Sequence, residues 1–108
     1  MDAIERLRRL CIDDPVDDAA DDPRWSDALD AHTVSLVRIG ALIATDAPAA
    51  SMRSAIDEAV TAGASLQEIV AVLEGLIGDL GLPRTVAAAP RIAAALGYGD
   101  DLVADSEI

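Results

Sequence analysis

Residues 65–83 constrain this chain more tightly than any other stretch. Ser65-Leu66-Gln67-Glu68 has the form of a capping box, in which the serine hydroxyl and the glutamate carboxylate each satisfy an unpaired amide at a helix start. Behind it, Leu66, Ile69, Val70, Leu73, Leu76, Ile77 and Leu80 recur at the three- and four-residue steps of an α-helix. Gly81 stops the pattern, and Pro83 follows two residues later. A helix so apolar along one side has to bury that side against other helices. Gly75 and Gly78 lie inside it, where each costs roughly 1 kcal/mol against alanine. Close helix-helix contact is the expected compensation.

The remaining signals are helical too. Asp30 is a suitable N-cap for a helix carrying Val34, Leu36, Val37, Ile39, Ala41, Leu42, Ile43 and Ala44, apolar on more than one face. In a chain this short, such a helix is expected to be central and partly covered by another subunit. Asp46-Ala47-Pro48 breaks it. The next helix runs from about Ala49 to Ala62 and stops at Gly63, with Met52, Ile56, Ala59 and Val60 as its apolar stripe. Arg53, Asp57, Glu58 and Thr61 fall on the other side, where Arg53 and Asp57 are spaced for a weak ion pair. The last helical stretch, Arg84 to Leu96, closes at Gly97; Pro90 is expected to kink it or to split it in two. Ile4, Leu7 and Leu10 mark a short amphipathic helix near the start. With no period-two alternation, the fold class is all-α. The chain divides into residues 1–28, a short helix plus an acidic arm, residues 29–97, the helical domain, and residues 98–108, an acidic tail.

Charge narrows the partners. Twenty acidic residues against eight arginines and no lysine give a formal net charge of −12. That field repels nucleic-acid phosphates and anionic lipid surfaces, so neither nucleic acid nor membrane is an expected partner. Asp13-Asp14, Asp17-Asp18 and Asp21-Asp22 lie between or beside Pro15 and Pro23, yet EF-hand spacing and its glycine are missing, so a solvated acidic segment is expected and no metal site. Cys11 is the sole cysteine, which excludes an intramolecular disulfide and a cysteine-based metal framework; it reads as inert packing. The segment after Met1 is charged and helical in pattern, and no apolar run approaches membrane-spanning length, so a cytoplasmic location is expected.

Three segments together resemble the carboxymuconolactone decarboxylase and AhpD-like family. Leu29-Asp30-Ala31-His32-Thr33 is similar to its opening. Ala59-Val60-Thr61-Ala62-Gly63-Ala64-Ser65, with Glu68-Ile69 and Val72-Leu73, is similar to its central motif, and Gly81-Leu82-Pro83 to the start of its last helix. The resemblance covers Leu29 to about Leu96 and leaves the acidic arm outside. It implies an all-α, AhpD-like fold built on an antiparallel helical hairpin, assembled as a homo-oligomer, a trimer or hexamer. It also implies one of two activities: a thiol relay using a CxxC pair with histidine and glutamate, or cofactor-free acid-base decarboxylation of a lactone acid. Carried onto this chain, the CxxC positions fall at Pro48 and Ser51, the histidine at Ala55, and the glutamate at Ser35 or Leu36. A thiol relay needs one thiolate to attack and a second to resolve the mixed disulfide, which proline and serine cannot supply.

Four residues remain as candidates for chemistry. Arg38, mid-helix between Val34 and Leu42, could hold a substrate carboxylate by paired hydrogen bonds, or could be tied up by Asp57, Glu58 or Glu74. Asp57 and Glu58, beside the vacated histidine position, could move protons, as could Glu74 on the longest apolar helix. Their ordinary alternative is a solvated helix face. His32, the only histidine, falls in a first helical turn where surface exposure is expected over catalysis. The sequence thus points to a family member without the thiol site: a non-catalytic oligomeric binding or scaffold protein, or alternatively a cofactor-free lyase, decarboxylase or isomerase for a small organic acid. No cofactor is expected on either reading.

Overall fold

In a computed structural model of the chain, the residues described are 2–14 and 28–98. Most of the acidic arm, Trp25 and the acidic tail lie outside them. The elements are α1 (Ala3–Cys11), α2 (Ala31–Ala44), α3 (Ala49–Thr61), α4 (Leu66–Leu80) and α5 (Leu82–Ala95), with no strand among the described residues. The fold class is all-α, as the periodicity requires.

Each helix starts where local chemistry allows it. The Asp30 side chain accepts a hydrogen bond from the Thr33 amide, 2.7 Å, and begins α2. The capping box on α4 is complete, with Glu68 N–H donating to Ser65 Oγ at 3.1 Å and Ser65 N–H to Glu68 Oε1 at 2.9 Å. Gly81 is the single residue between α4 and α5, and its φ of 89° is one that a side chain would strain. The turn lets α5 begin at Leu82, two residues earlier than expected, with Pro83 in the first turn where a missing amide costs nothing.

Helices α2–α5 share one core: Ile39 and Ile43 from α2, Met52, Ala55, Ile56 and Ala59 from α3, Ile69 from α4, and Ala88 and Ile92 from α5. Helix α2 packs on α3, α4 and α5, which gives it the expected central place. Two arginines of α5 fasten the α2–α3 turn. Arg84 donates to the Ala44 carbonyl at 2.8 Å, while Arg91 donates to the Ala47 carbonyl at 2.7 Å and pairs with Asp46 at 3.0 Å. They hold the turn at Asp46, a non-glycine residue with φ of 54°.

Several expectations are corrected. Ala55, not Val60, completes the buried stripe of α3; the face turned to α2 and α5 runs through positions 52, 55, 56 and 59, and Val60 lies beyond its edge and is exposed. On α4 only Ile69 is fully buried, and Leu66, Val70 and Ile77 remain substantially exposed, since α2 and α5 together cover less than its apolar arc. Helix α5 is one helix across Pro90: the carbonyl that loses its amide partner belongs to exposed Val86 and can turn to water. Helix α1 packs on none of the other four helices and buries none of its residues, so Cys11 is exposed and, among the described residues, is not the packing residue expected.

The two glycines of α4 are not sites of close helix approach within this chain. A methyl group added at Gly75 or Gly78 would meet nothing within 4 Å. At Gly40 on α2 an added carbon would lie 3.6 Å from Leu76 Cδ1, an ordinary van der Waals contact. Gly75→Ala and Gly78→Ala are therefore expected to stabilise the chain by about 1 kcal/mol each. Thermal melts should show each variant rising by several degrees, and a fall would mean that another surface packs on those glycines.

Candidate functional site

A cleft of about 440 Å³ opens between α2 and α3, lined by Arg38 and Leu42 on one wall and Ala50, Ser51, Ser54, Ala55 and Glu58 on the other. The helical register explains the set. Arg38 and Leu42 are one turn apart on α2, while Ser51, Ala55 and Glu58 follow one another by four and three residues along α3. The floor is apolar and the rim carries two hydroxyls and one ion pair. Arg38 Nη1 donates to Glu58 Oε2 across the cleft; the guanidinium is about one-third exposed and the carboxylate more than half. An ion pair this wet contributes little to stability, on the order of 0–1 kcal/mol, so the fold does not require it.

The cleft brings together two of the four candidates, Arg38 and Glu58. Asp57 is exposed on α3 outside the lining, and its backbone carbonyl accepts from the Thr61 hydroxyl at 2.9 Å. Among the described residues the expected Arg53–Asp57 ion pair is not formed. Glu74 is exposed on α4, which contributes nothing to the cleft. Of the positions where the resemblance places thiols and histidine, Ser51 and Ala55 face the cleft, and Pro48 is the N-cap residue of α3. Ser35 is buried with its hydroxyl donating to the His32 carbonyl at 2.7 Å, and Leu36 packs against the core. At the positions that the resemblance would give to a thiol and a histidine, the cleft presents the Ser51 hydroxyl and the Ala55 methyl, beside the Arg38 guanidinium and the Glu58 carboxylate. Among the described residues no group of three or more His, Cys, Asp or Glu is placed to hold a metal ion. Among them, too, no helix is long and apolar enough to cross a membrane.

Like the Arg84 and Arg91 contacts of α5, a further polar contact is not indicated by the sequence. His32 Nε2 lies 2.9 Å from Glu68 Oε2 and 3.0 Å from Oε1, tying the first turn of α2 to the capping box of α4. Both residues belong to the segments that carry the family resemblance, but nothing in either segment indicates that they meet. The Glu68 carboxyl is held below the ordinary glutamate range, first by the Ser65 amide and then by His32. A carboxyl with a depressed native pKa contributes stability above its unfolded value, about 4.3, and loses it as pH falls through the lower native value. Glu68→Ala is accordingly expected to melt below the wild type at pH 7, with the gap narrowing near pH 3. A constant gap would show that the carboxylate charge is irrelevant.

The described residues form a small all-α fold whose α2–α3 cleft is lined by no cysteine. A family model, the carboxymuconolactone decarboxylase family, matches residues 16–98, and the chain belongs to that family. The match starts ahead of Leu29, where the sequence signals begin, and so includes much of the acidic segment. No curated protein and no solved structure gives a significant match.

Proposed function

We propose that this chain is a non-redox member of the carboxymuconolactone decarboxylase family that binds a small organic acid in the α2–α3 cleft and does not turn it over. The observation that carries the reading is the placement of Arg38 on a solvent-connected wall of the cleft, with its guanidinium at the rim where the Glu58 carboxylate meets it. A ligand carboxylate can replace Glu58 on the guanidinium fork, keeping the charge-assisted hydrogen bonds and releasing Glu58 to water. The apolar floor of Leu42 and Ala55 suits a short hydrocarbon body, and Ser51 and Ser54 can accept or donate to its polar substituents. The test is a thermal-shift titration with small mono- and dicarboxylates. Saturable stabilisation by some of them is expected; a flat response across the panel would remove the reading.

A second reading is favoured by one observation, the Glu58 carboxylate within the same cleft. There Arg38 would hold the substrate carboxylate and Glu58 would move a proton, as a cofactor-free lyase or isomerase requires. Turnover of lactone or keto acids that disappears in Glu58→Gln while ligand binding persists would establish it over the first.

Self-association belongs to the same proposal. Val60, Ile77, Leu82 and Val86 are exposed apolar side chains on three different helices of a small domain, and a second copy is the natural cover. A trimer or hexamer is expected by sedimentation.

A further inference from the structure

The two charges in the α2–α3 cleft are of opposite sign and touch each other. Of the residues lining it, Arg38 carries the one positive charge and Glu58 the one negative, and Arg38 Nη1 donates directly to Glu58 Oε2. This contact seals neither group. The guanidinium is about one-third exposed and the carboxylate more than half, so a ligand can reach both from solvent. A guanidinium has several N–H donors and a carboxylate several acceptor sites, so one shared hydrogen bond uses only part of either. Charge balance then decides what fits. A ligand carrying only a carboxylate displaces Glu58 from Arg38 and sets a second negative charge beside it. It also enters the field of a chain of net −12. A ligand with an ammonium next to its carboxylate avoids both penalties. Its carboxylate lies on the guanidinium and its ammonium on Glu58, and the Arg38–Glu58 contact stays, closing a ring of alternating charges. The ligand charges have to be adjacent, because the protein charges are. An α-amino acid, with a single carbon between its two charged groups, has that spacing.

We propose that the ligand of the cleft is a small α-amino acid with an uncharged side chain, held as a zwitterion by Arg38 and Glu58 together. The rest of the lining limits that side chain: Leu42 and Ala55 suit a short hydrocarbon branch, and Ser51 and Ser54 a hydroxyl. For such a ligand Glu58 is a second binding group and not a competitor. Binding of this kind rests on the α2–α3 cleft being the acid-binding site proposed above, and adds the class of acid that it takes.

Isothermal calorimetry on the full chain, at neutral pH and fixed ionic strength, tests the assignment. L-Alanine, L-valine and L-serine are compared with propionate, isovalerate and 3-hydroxypropionate, the same skeletons without the ammonium. Ethylamine, isobutylamine and ethanolamine, which lack the carboxylate instead, read the general attraction of a cation to an acidic chain. At least one amino acid is expected to bind about ten-fold or more tightly than both of its partner compounds. In Glu58→Gln the two acid classes should move in opposite directions, that amino acid weakening about ten-fold and the plain carboxylates tightening. Opposite signs exclude a folding defect, which would weaken both. Amines or plain carboxylates that match the amino acids, or amino-acid affinity unchanged by Glu58→Gln, overturn the zwitterion assignment. Plain carboxylates that still bind, and weaken in Arg38→Ala, would then keep the cleft reading alone. No saturable binding by either acid class removes both.

Discussion

Ile69→Ala is expected to lower stability by about 3 kcal/mol, the cost of deleting a fully buried branched side chain and leaving part of its volume empty. Ile69 is the only completely buried residue on α4, and it meets a core supplied by α2, α3 and α5. For a domain of this size the melting temperature should fall by more than about 10 °C. Ile77, eight residues later on the same helix, is 39% exposed, and Ile77→Ala should cost under about 1 kcal/mol in the isolated chain. The contrast has a further use. If a second copy covers Ile77, the penalty there grows with protein concentration, whereas the Ile69 penalty does not. Equal penalties at low concentration would mean that the burial pattern of α4 is wrong.

Arg38→Ala is expected to weaken binding of a small carboxylate by about 10- to 100-fold, corresponding to the roughly 1.5–3 kcal/mol that a hydrogen bond to a charged group contributes. Arg38→Lys keeps the charge but not the planar fork, so affinity should recover only in part. Glu58→Gln removes one carboxylate that competes for the guanidinium, and affinity should rise several-fold. None of these substitutions should move the melting temperature much, because the Arg38–Glu58 pair is solvent-exposed. Isothermal calorimetry on the four proteins checks the order Glu58→Gln, wild type, Arg38→Lys, Arg38→Ala. Equal affinities would place the ligand elsewhere.

Much of the fold was legible in local chemistry. The capping box at Ser65 and the stop at Gly81 mark α4 to the residue, and Asp30 and Gly63 bound α2 and α3 just as directly. Caps are local hydrogen bonds between residues three apart, so sequence contains all of their determinants. Periodicity is less complete. It identifies the apolar arc of α4 but not how much of it a neighbour covers, and for that reason Val70 and Ile77 look like core in sequence and are exposed in structure. The same gap placed Val60 inside and missed Ala55, and it led Gly75 and Gly78 to be read as contact points although among the described residues nothing lies against them.

The cleft was half legible. Arg38 stood out because a guanidinium amid apolar neighbours is costly unless it is paired or used. Which carboxylate it would meet depended on the rotation of α3 about its axis. Asp57 and Glu58 differ there by about 100° of arc, and only Glu58 turns into the cleft. The resemblance marked Ser51 only as the place of a lost cysteine, and Ser54 carried no signal, since serines on a helix face are ordinary. The His32–Glu68 contact spans 36 residues, and no local pattern encodes it.

The central claim is that Arg38 is the anion-holding group of a non-thiol cleft. An NMR titration with a small dicarboxylate, following the arginine side-chain Nε–H resonances and the backbone amides, tests it most directly. The account predicts saturable shifts of the Arg38 Nε–H together with the Ser51, Ser54 and Glu58 amides, and their loss in Arg38→Ala. Shifts distributed over Arg53, Arg84 and Arg91 instead, or shifts that survive Arg38→Ala, would contradict it.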